Sequence, residues 1–591
     1  MIPAARVVPD VATFAVDEGF WYAIPEHLLA DVAVGTIVRV PLSGRRVRGW
    51  VVEVAGDRQG NLKEIAAVSS AIPVFDARLL KSLIWAARHY VAPVATLLSR
   101  ATPPNLPRSV PAPVPMPNDP KHGAHALSGL ISRSAAGANT PVTALVANWR
   151  SLEWLTVLGP IFLEGRSVVI VAASVVEVTS IAEKAATIWG KLVVAVTGED
   201  SAGDTRAWQK AQSPPRLVIG TPKIATWQFG ELGLVVVLEE NRRAMKDRQT
   251  PTLHVRDVLR TRSRIEGFNL VFYGPTPGVE LLAAGAEIVT PGNRAWPLVE
   301  VVDRSEEPPG SGYLSVRVLA ALKAVAADGK QSFVFTHRRL GLASTRCTAC
   351  RALRSCVKCE ARLGRVDRCP KCDTPTGPCR ECGGNRFEEM GTIPERLVAE
   401  IGRSLGSGVA AVHPAGTPIT VGTERDIARL APVALVVAAD VDGMLLGSGY
   451  RSTEDALRQL ARLATMITSS TGSRLMLQTT RPESLLVTTL RRGDPVPYLE
   501  RVLVERARDG SPPSSEMIAL ELRGDVPEGV GTDLAGLDSG AVSLGPMTVE
   551  DGHRWLITGS LGKARLELRR LVGRWRDKGA TVRVDADPID V

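Results

Sequence analysis

The chain has 591 residues, 45% of them hydrophobic and 23% charged, so it is too long for a single core and too apolar for wholesale disorder; roughly three to five domains are expected. Lys plus Arg (71) against Asp plus Glu (62) leaves +9, a mild excess compatible with a nucleic-acid partner without requiring one. The most apolar stretch, Leu152–Val178, is broken by Glu164 and Arg166, and the N-terminal segment carries Asp10 and Asp17 with no apolar run, so neither a membrane span nor a secretory signal is read and a cytoplasmic protein is expected.

Residues 1–102 read as one unit. Val34–Val54 alternates as β-hairpins punctuated by Gly35, Pro41 and Gly44, and Leu79–Tyr90 places Leu80, Leu83, Ile84 and Ala87 on one helical face. Eight prolines between Ala101 and Pro120, then a Ser/Ala/Gly-rich stretch, predict an extended or disordered linker over 103–141. From 142 onward short apolar runs alternate with helical stretches: Val168–Ala173, Leu217–Gly220, Leu234–Leu238, Leu270–Tyr273, Phe333–Thr336, Ala410–His413, Ala434–Asp440 and Leu475–Thr479. Such runs suit strands buried on both faces by crossover helices. The predicted class is multidomain α/β, with parallel-sheet lobes over 142–310 and over 311–343 plus 386–482. A cysteine domain (344–385) is inserted in the second lobe, and an α+β unit (483–591) ends the chain.

All eight cysteines lie between Cys347 and Cys382, as four C-x2-C pairs: Cys347/Cys350, Cys356/Cys359, Cys369/Cys372 and Cys379/Cys382. One tight turn aims two sulfurs at a single tetrahedral ion, so two pairs complete a four-cysteine site and four pairs complete two closed, structural zinc sites. Disulfides, an iron–sulfur cluster and redox thiols are the competing readings; the spacing disfavours them. Spacing alone leaves the pairing open between sequential and nested. The cassette is also basic, with ten Lys/Arg against four Asp/Glu from Arg346 to Arg386, which fits phosphate contact and a solvated surface equally well.

Two parallel-sheet lobes raise the question of a nucleotide. A phosphate loop needs G-x4-G-K-[S/T] after the first strand. No such string occurs; Val146–Leu155 (VANWRSLEWL) has neither Gly nor Lys, and Lys191 and Lys223 stand apart from any glycine loop. The strand that should end in a Mg²⁺-binding acid ends in Leu238, followed by Glu239, Glu240 and Asn241. Without a phosphate cradle these carboxylates have nothing to activate, so no catalytic or nucleotide-binding residue is assigned.

Several segments together resemble the primosomal protein N′ (PriA) family of bacterial replication-restart DNA helicases. FWYAIP (Phe20–Pro25), VGTIVRVP (Val34–Pro41), LKEI (Leu62–Ile65) and WAARHYVAP (Trp85–Pro93) look like its 3′-DNA-end-binding domain. LGLVVVLEEN (Leu232–Asn241), TPTLHVRDVLRTRS (Thr250–Ser263) and YGPTPG (Tyr273–Gly278) look like its "DEEH" and "SATPS" regions. HRRLGLAS resembles the lead into its zinc domain, while DVDGMLLGSGYRSTED (Asp440–Asp455) and LQTTRPE (Leu477–Glu483) look like its second lobe, and SPPSSEM, LGP, RWLI and VRVDADPIDV its C-terminal domain. The order is kept along nearly the whole chain. The departures are equally specific: no phosphate-loop GKT, Leu238 for the metal-binding Asp, Asn241 for the His of "DEEH", and no "AGRAGR" arginines near Leu463–Ser469. The family's winged helix has no room in the linker. The chain therefore resembles a degenerate, actinobacterial-type member with two helicase-like lobes kept as architecture.

The resemblance implies nested zinc pairing, Cys347, Cys350, Cys379 and Cys382 on one ion and Cys356, Cys359, Cys369 and Cys372 on the second. It places Phe20, Gly35 and Lys63 in the pocket for a DNA 3′ end, with Trp21 where the family has Asp, suited to stacking on a base instead. It implies a nucleoid-associated protein that binds abandoned or stalled forks and single-strand/duplex junctions. Primosome and replisome proteins are the expected partners, and reloading of the replicative helicase the expected outcome, without ATPase activity. The alternatives are an ATP-dependent 3′–5′ primosomal helicase with an unrecognised nucleotide site and a zinc-dependent adaptor that binds only protein.

Overall fold

The computed structural model describes residues 2–58, 60–116, 125–135, 142–292, 296–305, 307, 311–337, 345–350, 352–358, 363–364, 366–369, 373–389, 393–413, 416–445, 449–537, 540–549 and 551–589. The chain divides into two compact units: Met1–Gly292 with Asp509–Pro546 and Arg554–Ile589, and Asn293–Arg508 with Met547–His553 and the last two residues.

The first unit opens with an antiparallel sheet of β1 (Ile2–Pro9), β2 (Phe20–Ala23), β3 (Ile37–Leu42), β4 (Arg45–Arg58) and β5 (Ala67–Ser70), in the order β2-β1-β4-β3-β5. Alternation sends Ala5, Val7, Tyr22, Val38, Val40 and Val51 to a small core on one face. Val8, Ile37 and Trp50 go to the other face, beneath α1 (Ala77–His89) and α2 (Val94–Ala101). Asp76 caps α1 by accepting the Leu79 N–H at 2.7 Å. The β3–β4 hairpin closes on Ser43 and Gly44, both at positive φ (47° and 80°), the twist-matched two-residue turn. Part of the predicted linker is not extended: Ala126–Ala135 forms α3, whose Leu127, Leu130 and Ile131 are buried against the first α/β layer, because three apolar residues at helical spacing can dock there.

Seven parallel strands follow: β6 (Thr143–Val146), β7 (Ser167–Val171), β8 (Val193–Val196), β9 (Leu217–Gly220), β10 (Leu232–Leu238), β11 (Asn269–Gly274) and β12 (Glu287–Val289), ordered β12-β6-β11-β10-β7-β9-β8. This is a RecA-like open sheet with its crossovers on both faces. Six more form the second unit's sheet: β13 (Leu298–Asp303), β14 (Ser332–Phe335), β17 (Ala410–Val412), β18 (Ile419–Gly422), β19 (Leu435–Ala438) and β20 (Arg474–Thr479), all parallel in the order β13-β20-β19-β14-β18-β17. Between β14 and β17 the antiparallel pair β15 (Thr345–Cys347) and β16 (Phe387–Glu389) brackets the cysteines. The reading that ends the first lobe at 310 is corrected here. β13 pairs in register with β20, Val299 opposite Leu475 and Val301 opposite Leu477, so the second sheet begins before residue 300.

The C-terminal segment contributes β21 (Glu516–Arg523), β22 (Ala541–Val549), β23 (Gly552–Gly559) and β24 (Thr581–Ala586), ordered β22-β23-β21-β24, with a helix at Gly562–Asp577. Within the first unit its apolar face shares one continuous core with α1, α2 and one side of the first parallel sheet. Ionic ties reinforce that core. Lys246 Nζ reaches Asp585 Oδ1 at 2.6 Å and the carbonyls of Ala586 and Asp587 at 2.7 and 2.6 Å, and His89 Nε2 meets Asp587 Oδ2 at 2.7 Å.

Candidate functional sites: a cysteine metal centre, a filled nucleotide cradle and a DNA-binding face

The pair β15–β16 draws the two ends of the cysteine cassette together, Cys347 lying opposite Phe387. The sulfurs of Cys347, Cys350, Cys379 and Cys382 all lie within 4.8 Å of one another, with 3.5 Å from Cys347 to Cys382 and from Cys350 to Cys379. These separations are too long for a disulfide and close to the roughly 3.8 Å edge of a tetrahedron with ~2.3 Å metal–sulfur bonds. The donor set therefore fits a tetrahedral thiophilic ion. The backbone N–H groups of Cys350 and Ala349 point at Cys347 Sγ and draw that thiol down to about 7, toward the thiolate a metal needs. These four could hold one metal ion. Cys356 and Cys369 are buried together with Leu363 in a separate small cluster; Cys359 and Cys372 lie outside the described residues.

At the end of β6, where a phosphate loop would open, the chain instead turns into a wall of indoles. The Ala147 N–H bonds to the Gly274 carbonyl at 3.0 Å, continuing the β6–β11 pairing. Trp149 then donates its Nε1–H to Glu239 Oε1 at 2.9 Å, and Trp154 donates to the Trp149 carbonyl at 2.9 Å while packing edge-on against Tyr273. Leu152 sits at φ 56° and leads into a 3₁₀ turn over Glu153–Leu158 without a side-chain cap, followed by a helix of five residues. Trp149 and Trp154 are 4% and 0% exposed. The gap left among Val146, Glu239, Glu240, Tyr273 and Thr276 is about 10 Å³, scarcely room for one water.

Both carboxylates at the tip of β10 have structural partners. Glu239, at φ 51°, accepts from Trp149 and lies 3.5 Å from Arg242, which pairs with Glu177 at 2.7 Å. Glu240 accepts the Gly278 N–H at 2.7 Å and lies 3.7 Å from Arg256. Burial pushes Glu240 up to about 7, against the pull of Arg256. Gly278 must lack a side chain, since a Cβ would stand 2.7 Å from Glu240 Oε1. Asn241 Nδ2 donates to Thr276 Oγ1 at 3.1 Å, so LEEN and YGPTPG lock the ends of β10 and β11 together. In the second unit, Arg458 and Arg462 of the helix Ser452–Ala464 are buried and paired with Glu424, at 2.5 and 3.4 Å. Sequence reasoning missed these internal pairings, because nothing local announces the partner of a buried arginine.

The predicted DNA-binding residues have different settings. Phe20 is 41% exposed and shares a strand face with the buried Tyr22, whereas Trp21 points to the opposite face. Lys63 is exposed, and its carbonyl accepts the Ala23 N–H at 2.9 Å, joining it to the end of β2. Gly35 has φ 91°, and a Cβ there would meet the Phe75 carbonyl oxygen at 2.0 Å, so backbone packing alone requires glycine. The Trp21 ring is flanked by guanidinium groups, Arg58 at 3.8 Å and Arg6 at 5.9 Å, neither foreseen from sequence.

Fold and sites together define a protein with two parallel α/β sheets, a β-rich N-terminal module and a cysteine cluster that could hold a metal ion. Residues 6–103 match the family described as the 3′DNA-binding domain (3′BD) of PriA. The chain is 25% identical over 570 residues, covering 85% of itself and 84% of its counterpart, to the probable replication restart proteins PriA of Mycobacterium tuberculosis (strain H37Rv) and Mycobacterium bovis. It is 34% identical over 84 residues to replication restart protein PriA of Bacillus subtilis, covering 14% of this chain and 10% of that one. Among solved structures it is similar to RecG bound to a three-way DNA junction (TM-score 0.36, 11% identity, 72% of this chain and 53% of that one), too loose a correspondence to add to the strand order. Over most of its length the chain is thus similar to replication restart proteins PriA, and its N-terminal segment to their 3′DNA-binding domain. Among the described residues no helix is long and apolar enough to cross a membrane.

Proposed function

We propose that the protein is a non-hydrolysing, DNA-structure-binding scaffold of replication restart, acting in the cytoplasm at the nucleoid. It engages abandoned or stalled forks through the module over 1–102 and adjoining basic surfaces. Its zinc domain (344–385) recruits primosome proteins toward reloading of the replicative helicase. The two parallel-sheet lobes carry these parts without turning over nucleotide. The observation that carries the reading is the Trp149–Glu239 hydrogen bond, which puts an indole where a phosphate loop would stand and engages the carboxylate that would serve hydrolysis. Fork binding is supported by the match of residues 6–103 to a 3′DNA-binding domain.

Two zinc ions per chain complete the proposal: one on Cys347, Cys350, Cys379 and Cys382, supported by their convergence, and one on Cys356, Cys359, Cys369 and Cys372, supported by the burial of Cys356 against Cys369. Zinc supplies folding free energy to a segment with little apolar core of its own. Phe20, Gly35 and Lys63 remain candidates for contact with a DNA end, with Trp21 acting through its arginine neighbours. The test is direct. Purified protein should bind a model fork more tightly than a duplex of equal length and show no DNA-stimulated ATP hydrolysis; hydrolysis abolished by Glu239→Gln would establish an active helicase instead.

A further inference from the structure

Arg58, at the end of β4, differs from the cations around it. Its guanidinium carbon lies over the Trp21 ring, 3.8 Å from the centroid, while the residue is exposed. Arg6 and Arg48, on the same sheet, each have a carboxylate: Arg6 pairs with Glu53 at 2.6 Å and Arg48 with Asp10 at 2.5 Å. Arg58 has no acceptor for its N–H groups among the described residues. Trp21 is itself fixed by the sheet, opposite Arg6 across β1–β2, with Arg6 opposite Glu53 across β1–β4. A guanidinium held this close over an indole has already given up much of its rotamer freedom, and the ring's π face takes up none of its N–H donors as an oxyanion would. That is a planar fork pre-set for an oxyanion. Lys63 is also exposed and is joined to the end of β2 through its carbonyl.

We infer that Arg58, held over the Trp21 ring, is a phosphate-binding residue of this module, taking a phosphate of a DNA strand. Trp21 is its positioning residue and not a platform for bases. The inference rests on the DNA-binding reading above and adds the group that is recognised and the residue that recognises it.

The test uses the full-length, zinc-loaded protein and a labelled fork, with affinity measured from about 50 to about 200 mM salt. Arg58→Gln should weaken binding on the order of tenfold at the low-salt end and make the plot of log K against log salt shallower by about 0.7 to 0.9, one phosphate contact. Trp21→Leu should move both in the same direction and add nothing in the Arg58→Gln background, whereas Trp21→Phe, which keeps a ring under Arg58, should retain most of the affinity. Forks ending in a 3′-hydroxyl or a 3′-phosphate separate the two sources: a gain from the 3′-phosphate that Arg58→Gln abolishes assigns a terminal phosphate, and equal binding assigns the backbone. Tight binding by wild type with unchanged affinity and slope in Arg58→Gln would overturn the inference while leaving the DNA-binding reading intact. So would a Trp21→Leu loss that adds to that of Arg58→Gln, which would make Trp21 a base-stacking residue. Failure of the wild type to bind any DNA would overturn both. Thermal melts of each variant separate lost contact from lost fold.

Discussion

Glu240 carries a pH signature. Its carboxyl is buried and titrates near 7, above an ordinary value of 4.5, so the folded chain holds the proton more tightly than the unfolded chain does. The resulting stabilisation is fully present below about 4.5 and is lost as pH rises through about 7. Glu240→Gln keeps an acceptor for the Gly278 N–H and removes the titration. The variant should therefore gain on wild type by roughly 1–3 kcal/mol between pH 5 and pH 8 in urea unfolding. A gain that shrinks over that range would contradict the assignment. Asp587 titrates in the opposite sense. Burial would raise it, yet His89, Arg565 and Lys246 hold it well below the usual carboxylate range, so its contribution is present above about 4 and is lost on strong acidification. Trp149 is the structural counterpart: Trp149→Ala empties a buried site and removes the donor to Glu239, and it should cost about 3–5 kcal/mol without creating ATP hydrolysis.

At the scale of elements, the proposed zinc sites make folding of the cysteine domain dependent on metal. Chelation should release two zinc ions per chain and unfold this segment while the parallel sheets persist, read by metal analysis and by limited proteolysis between 344 and 385. Cys382→Ser should leave one ion per chain under mild conditions; complete loss of both would argue for a shared cluster. How far the sequence exposed these elements follows from burial. Runs such as Leu217–Gly220 and Leu234–Leu238 stood out because central strands are covered on both faces. Two edge strands did not: β8 alternates between buried and exposed residues, and the end residues of β13, Leu298 and Asp303, are exposed, so neither makes a continuous apolar run. α3 was hidden by the prolines before it. The cysteine spacing announced a metal centre, but the meeting of Cys347 and Cys350 with Cys379 and Cys382 depends on β15 pairing with β16, which spacing does not encode. The absent phosphate loop was legible; the indoles that fill its place were not, because Trp149 meets Glu239 only through the parallel register of three strands.

On the proposed function, the whole molecule is a DNA-binding scaffold whose sheets serve as a frame. With about six or more phosphates contacted, fork affinity should fall by orders of magnitude between ~50 and ~200 mM salt, while preference for fork over duplex should persist, because fork geometry is read in addition to charge. Equal affinity for duplex at every salt concentration would reduce the protein to a nonspecific polycation. The most direct test of the central claim is titration with a labelled ATP analogue and Mg²⁺, with and without a model fork, recording fork affinity in the same samples. Tight, fork-preferring DNA binding with no saturable nucleotide binding is the predicted result; saturable, Mg²⁺-dependent nucleotide binding would contradict it.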